Sequence, residues 1–138
     1  MKIYQHTQSA ATIVGCLGAM ALILAIMSFA FHPLVLPMVI VAISGWMFRS
    51  MTIEISDTDL AWYFGSGFPR KRVPRNDVVS AEAIRTSFLN GWGIHYTTRG
   101  WLYNVSGYGA VAVTLRNGKR FCLGSDEPEE LARQLSVK

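Results

Sequence analysis

Residues 3–48 read IYQHTQSAATIVGCLGAMALILAIMSFAFHPLVLPMVIVAISGWMF, and none of them is Lys, Arg, Asp or Glu. Lys2 and Arg49 bound the stretch. Within it, residues 10–31 are almost wholly apolar, His32 and Pro33 interrupt, and residues 34–48 form a second apolar run. A small water-soluble domain has too little interior to hide so much uncharged surface, whereas a bilayer requires it, and a helix of about 20 apolar residues crosses the hydrocarbon with every backbone group paired internally. At roughly 1.5 Å per residue the first run reaches about 33 Å, and the second reaches about 22 Å and must borrow residues 49–51 or thin the bilayer. The expectation is a transmembrane hairpin over residues 1–50, with spans at about 10–31 and 34–50, followed by a soluble domain over residues 51–138.

Working outward, all but one of the 13 Lys and Arg and all nine Asp and Glu follow residue 48. Lys2 precedes the first run, Arg49, Arg70, Lys71, Arg72 and Arg75 follow the second, and the intervening turn has no fixed charge. The positive-inside rule then places both termini in the cytoplasm of a multi-pass protein of the cell (inner) membrane, with Tyr4 and Trp46 as headgroup anchors. A cleaved signal fits poorly, because a second apolar segment follows the first. Residues Ile13, Val14, Gly15 and Cys16 resemble a lipoprotein cleavage box, but the apolar core follows the cysteine instead of preceding it. Ala11, Gly15 and Ala19 recur every four residues and allow close backbone approach, either within the hairpin against Ala42 and Gly45 or to another helix.

Beyond Arg49 the pattern changes to period two. Met51, Ile53 and Ile55 alternate with Thr52, Glu54 and Ser56, as in a half-buried strand. Residues 60–64, 70–73 and 78–84 read as further strands, separated by turns at residues 57–59 and 65–69. Residues 90–109, rich in Gly, Trp and Tyr, read as irregular strand and loop. Residues 110–115 and 119–123 flank Asn117 and Gly118, a pair suited to a hairpin turn. Residues 125–138 read as a helix with Asp126 as N-cap, Pro128 in the first turn, and Leu131 and Leu135 on one face. About seven strands and a terminal amphipathic helix indicate a mainly β, α+β barrel or bent sandwich with the helix as a plug.

The Trp92-Gly93-Ile94 and Gly100-Trp101-Leu102-Tyr103 stretches, with the ending from Asn117 through Gly124 to Leu131, resemble bacterial pleckstrin-homology-like domains. One or two membrane helices often precede such domains. The resemblance implies two nearly orthogonal antiparallel sheets capped by a helix. It implies no activity, and no binding residue is transferred through it.

The chemistry-bearing residues do not assemble into a catalyst. His6, His32 and His95 are isolated from other ligands, Cys16 and Cys122 belong to no metal-spaced cluster, and Ser87 and Ser106 lack a base. No enzyme, cofactor or metal is expected. The aromatic stretch Phe88, Trp92, Tyr96, Trp101, Tyr103 and Tyr108 reads as core or as a groove; with only Arg85 and Arg99 nearby, it does not indicate a nucleic-acid partner. The basic run Arg70, Lys71, Arg72 and Arg75, preceded by Phe68, reads either as a surface for anionic lipid head groups or as charge protecting a sheet edge. Two functions stay open: a membrane-anchored module that binds a protein partner or anionic lipid, and an accessory subunit whose hairpin assembles into a larger membrane complex.

Overall fold

The computed structural model describes residues 1–87, 89 and 93–136. The alternating segment at Met51 forms the centre of a four-stranded antiparallel sheet, in the order β1 (Lys2–Ser9), β2 (Ser50–Ser56), β3 (Asp59–Phe64), β4 (Arg70–Pro74). The second sheet has five strands, in the order β5 (Val78–Arg85), β8 (Gly109–Leu115), β9 (Arg120–Gly124), β7 (Gly100–Asn104), β6 (Gly93–Thr97). Its pairs are antiparallel except β7 with β9, which is parallel. Three α-helices complete the described chain: α1 (Ala11–Ser28), α2 (Val35–Met47) after a 3₁₀ turn at His32–Leu34, and α3 (Pro128–Ser136).

Met51, Ile53 and Ile55 meet Leu60, Trp62 and Phe64 on the inner face of the first sheet, and all six are buried. Trp62 joins the two sheets: its ring stacks on Phe121 at 4.8 Å and meets Tyr103 edge-on at 5.2 Å. Leu131 and Leu135, one turn apart on α3, are both buried in the same core. The α+β architecture of two sheets with a C-terminal helix is therefore the one the strand periodicities indicate.

Several expectations change. Among the described residues only α1 is long and apolar enough to cross a membrane; α2, with 13 residues, rises about 20 Å against a hydrocarbon core of about 30 Å, so a hairpin of two full spans is not supported. Residues Lys2–Ser9, grouped with the hairpin by sequence, are strand β1 and pair with β2 from Lys2↔Ser56 to Ser9↔Ser50. Tyr4 accordingly lies against the core, where burial foremost, then the carboxylates of Glu127, Glu130 and Asp126, push its hydroxyl pKa up to about 12.

The stretch read as irregular contains the regular hairpin β6–β7, with Ile94↔Tyr103 and Tyr96↔Trp101 in register. The β8–β9 hairpin turns through residues 116–118 instead of two residues, because Leu115 N–H donates to the Lys119 carbonyl; Gly118 takes the positive φ of 82° that this loop needs. At the start of α3, Ser125 Oγ accepts the Glu127 N–H, while the expected cap, Asp126, contacts His6. Phe88 and Trp92 lie outside the described residues.

Candidate functional site at the helix-bearing end

The helix pair interrupts a pair of adjacent strands. β1 leads into α1 and α2 returns into β2, and the ladder is sealed at the base of the helices by Ala10 N–H donating to the Arg49 carbonyl at 2.8 Å. α1 and α2 lie against one another, with Leu17 on α1 3.5 Å from where a Cβ at Gly45 would stand. Gly45 is therefore at the helix–helix contact as expected. Ala11, Gly15 and Ala19 are exposed, and a Cβ at Gly15 would meet nothing within 4 Å, whereas Ala42, also exposed, lines the groove between the helices with Leu17 and Ala21. On α1 the half-buried Leu17 meets Gly45 and lines the groove between the helices with Ala21, while Ile13 packs against the core of the sheets.

The turn at residues 65–69 also lies at this end. Gly65 N–H donates to the Ser50 carbonyl, and with φ at 49° a side chain there would stand 2.6 Å from the Met47 carbonyl oxygen. Only glycine admits this approach of turn to helix. Beyond it Phe68 projects 73% exposed. Arg49, in the link between α2 and β2, places its guanidinium over the Trp46 ring at 5.3 Å. Ser106 Oγ donates to the Ser9 carbonyl and Gln8 Nε2 to the Ser106 carbonyl, bringing the second sheet to the same end.

The basic run divides along β4. Arg70, opposite Tyr63, is nearest the helices; its guanidinium lies 5.1 Å from the Tyr63 ring and 3.4 Å from Glu54 Oε2. Lys71 is exposed, and Arg72 lies 3.9 Å from Asp59. Arg75 belongs to the opposite end, where its N–H donates to the Thr58 carbonyl and its guanidinium to the Gln134 carbonyl on α3. Five residues of strand separate Arg75 from Arg70 by about 16 Å, so the four cations do not form one patch. Glu54 gathers Lys2 Nζ at 3.0 Å, the Tyr63 hydroxyl at 3.1 Å and Arg70 on the outer face of the first sheet. The hydrogen bond from Lys2 foremost, then those partners, holds its carboxyl below the ordinary range.

Sequence reading missed the Glu54 cluster and the Trp46–Arg49 pair. The i,i+3 spacing of Trp46 and Arg49 at a helix end was the available signal for the second; no local signal marks the first. Among the described residues no group of three His, Cys, Asp or Glu could hold a metal ion. Comparison of the chain with family models, curated proteins and solved structures returns no match.

Proposed function

We propose that the protein is a membrane-anchored, non-enzymatic interaction module, with α1 and α2 seated in the bilayer and the two sheets held at its cytoplasmic face. The observation that carries this reading is that α1, wholly uncharged, has no buried residue. Leu22, Ile23 and Ile26 on α1, with Leu36, Ile40 and Ile43 on α2, each expose more than half their surface, an apolar area far beyond the isolated exposed residues normal for a water-soluble surface. Because β1 and β2 are adjacent in one ladder, both feet of the helix pair lie on one side, and the excess of Lys and Arg on the sheets supports the cytoplasm as that side. The shorter α2 enters alongside α1 without crossing alone. Phe68, Arg70, Trp46 and Arg49 then rest at the level of the head groups, where anionic lipid attracts each cation by about 1 kcal/mol. The pleckstrin-homology-like resemblance is proposed on the same footing, supported by the two sheets and closing helix.

Cys16 supplies the test. Its side chain is exposed on α1, so in water it would react freely with a membrane-impermeant maleimide. In Cys122→Ser protein in sealed vesicles, Cys16 should stay unlabelled until detergent is added. Equal labelling with and without detergent would show that α1 is outside the bilayer.

A further inference from the structure

The end of the sheets opposite the helices carries a second, unrelated surface. There the β6–β7 turn and the β8–β9 turn lie side by side, because β7 and β9 run parallel with Trp101 beside Phe121. Tyr96 and Trp101 face each other across the β6–β7 ladder, with ring centroids 5.6 Å apart, and stay 73% and 48% exposed. Together with Arg99, Lys119 and Arg120 they line an open cavity of about 510 Å³ whose lining contains no carboxylate. A neighbouring cavity of about 390 Å³ on the outer face of the second sheet shares Arg99 and Arg120, and Glu82 is the one carboxylate in its lining. Among the described residues, Arg99, Lys119 and Arg120 form no ion pair.

Exposed Trp and Tyr beside unpaired Arg is the composition that anchors protein interfaces. The patch borders β6, the terminal strand of its sheet, and among the described residues no strand pairs with its outer edge. We propose that this surface binds an extended acidic segment of a partner protein, laid along β6, with its carboxylates on Arg99, Lys119 and Arg120 and its alternate apolar side chains on Trp101 and Tyr96. A strand presents successive side chains to opposite faces, so one segment can satisfy both chemistries. The inference rests on the interaction-module reading and names its partner class.

The test uses the full chain in nanodiscs of phosphatidylcholine alone, where no anionic lipid competes. A synthetic peptide alternating Glu with Val is titrated by calorimetry and by tryptophan emission; a Lys-Val peptide and a single-stranded oligonucleotide are the comparators. The Glu-Val peptide should bind, shift the emission of the parent but not of Trp101→Phe, and dissociate near 1 M salt, where the screening length falls to about 3 Å. The combined Arg99→Gln, Lys119→Gln and Arg120→Gln chain should bind at least about tenfold more weakly. Reversal to Glu at all three positions should transfer binding to the Lys-Val peptide. Failure of the Glu-Val peptide to bind, equal binding by the Gln chain, or binding of the oligonucleotide alone would each overturn the proposal. Incorporation into the nanodiscs is scored separately, so a chain that incorporates but ignores the peptide removes this inference and leaves the membrane anchor intact.

Discussion

The two sheets treat their positive charge in opposite ways. On the first, Lys2 and Arg70 share Glu54, and Arg72 has Asp59 within 3.9 Å. On the second, Arg85, Arg99, Lys119 and Arg120 meet no carboxylate at ion-pair distance among the described residues. The densest basic run in the sequence is therefore the more neutralised, and scattered single cations make the less compensated surface. Density along the chain measures where charge is encoded; register across a sheet decides whether it remains available.

The two sheets are halves of one folded unit joined at Trp62, whose ring bridges them, and the contrast breaks most strongly there. Trp62→Ala should cost about 3–5 kcal/mol, as large aromatic truncations in cores do, and lower the stability of both sheets in one transition. Denaturant unfolding followed by near- and far-ultraviolet circular dichroism would check this; two separated transitions would mean that the sheets are independent.

Glu54→Gln sharpens the contrast by stripping the first sheet of its compensating charge. Its carboxyl is held below its ordinary pKa and its side chain is only 13% exposed, so the contribution is present above about pH 4.5 and lost as pH falls through the lower folded value. The substitution should cost about 1–2 kcal/mol at neutral pH, as loss of a charge-assisted hydrogen bond does. It should also flatten the acid limb of the stability–pH profile. Identical profiles for parent and variant would show that the cluster is idle.

The smallest effects divide β4. A chain in which an Asn-Gly turn replaces residues 11–48 would join β1 directly to β2, as antiparallel neighbours allow, and report on lipid contact without the anchor. Its affinity for anionic vesicles should be near millimolar. Arg70→Ser should weaken that binding about fivefold, one cation being worth about 1 kcal/mol at such a surface, while Arg75→Ser should leave it unchanged. Equal losses at both positions, measured by vesicle sedimentation, would restore a single basic patch.

Much of the two-sheet fold was legible because its signals are local. The alternation at residues 51–56 gave β2, Asn117 and Gly118 located the β8–β9 hairpin, and Leu131 and Leu135 marked the buried face of α3. β1 was not legible: His6, Thr7, Gln8 and Ser9 are polar neighbours of an apolar run, and their strand exists only through pairing with β2 some 40 residues on. The Glu54 cluster escaped for the same reason, its Lys2 partner lying 52 residues away in sequence. The small-residue stripe does not face α2 at Gly15, because fourfold spacing defines a helix face but not its neighbour, and Gly45 on α2 lies against Leu17. Arg75 misled because Pro74 ends β4 and the chain has by then reached the far end of the sheet.

The sealed ladder at Ala10 and Arg49 makes the helices and the first sheet one lever rather than a buoy on a tether. If α1 lies in the bilayer as proposed, the eight residues of β1 span about 26 Å from the foot of the helices to the far end of the first sheet. An acidic segment could be captured there only if its owner displays it at that altitude, so the protein would select partners by height above the membrane as well as by charge. Any sideways pull on the captured segment would be transmitted through the ladder into the tilt of α1, without the slack that a flexible linker would introduce.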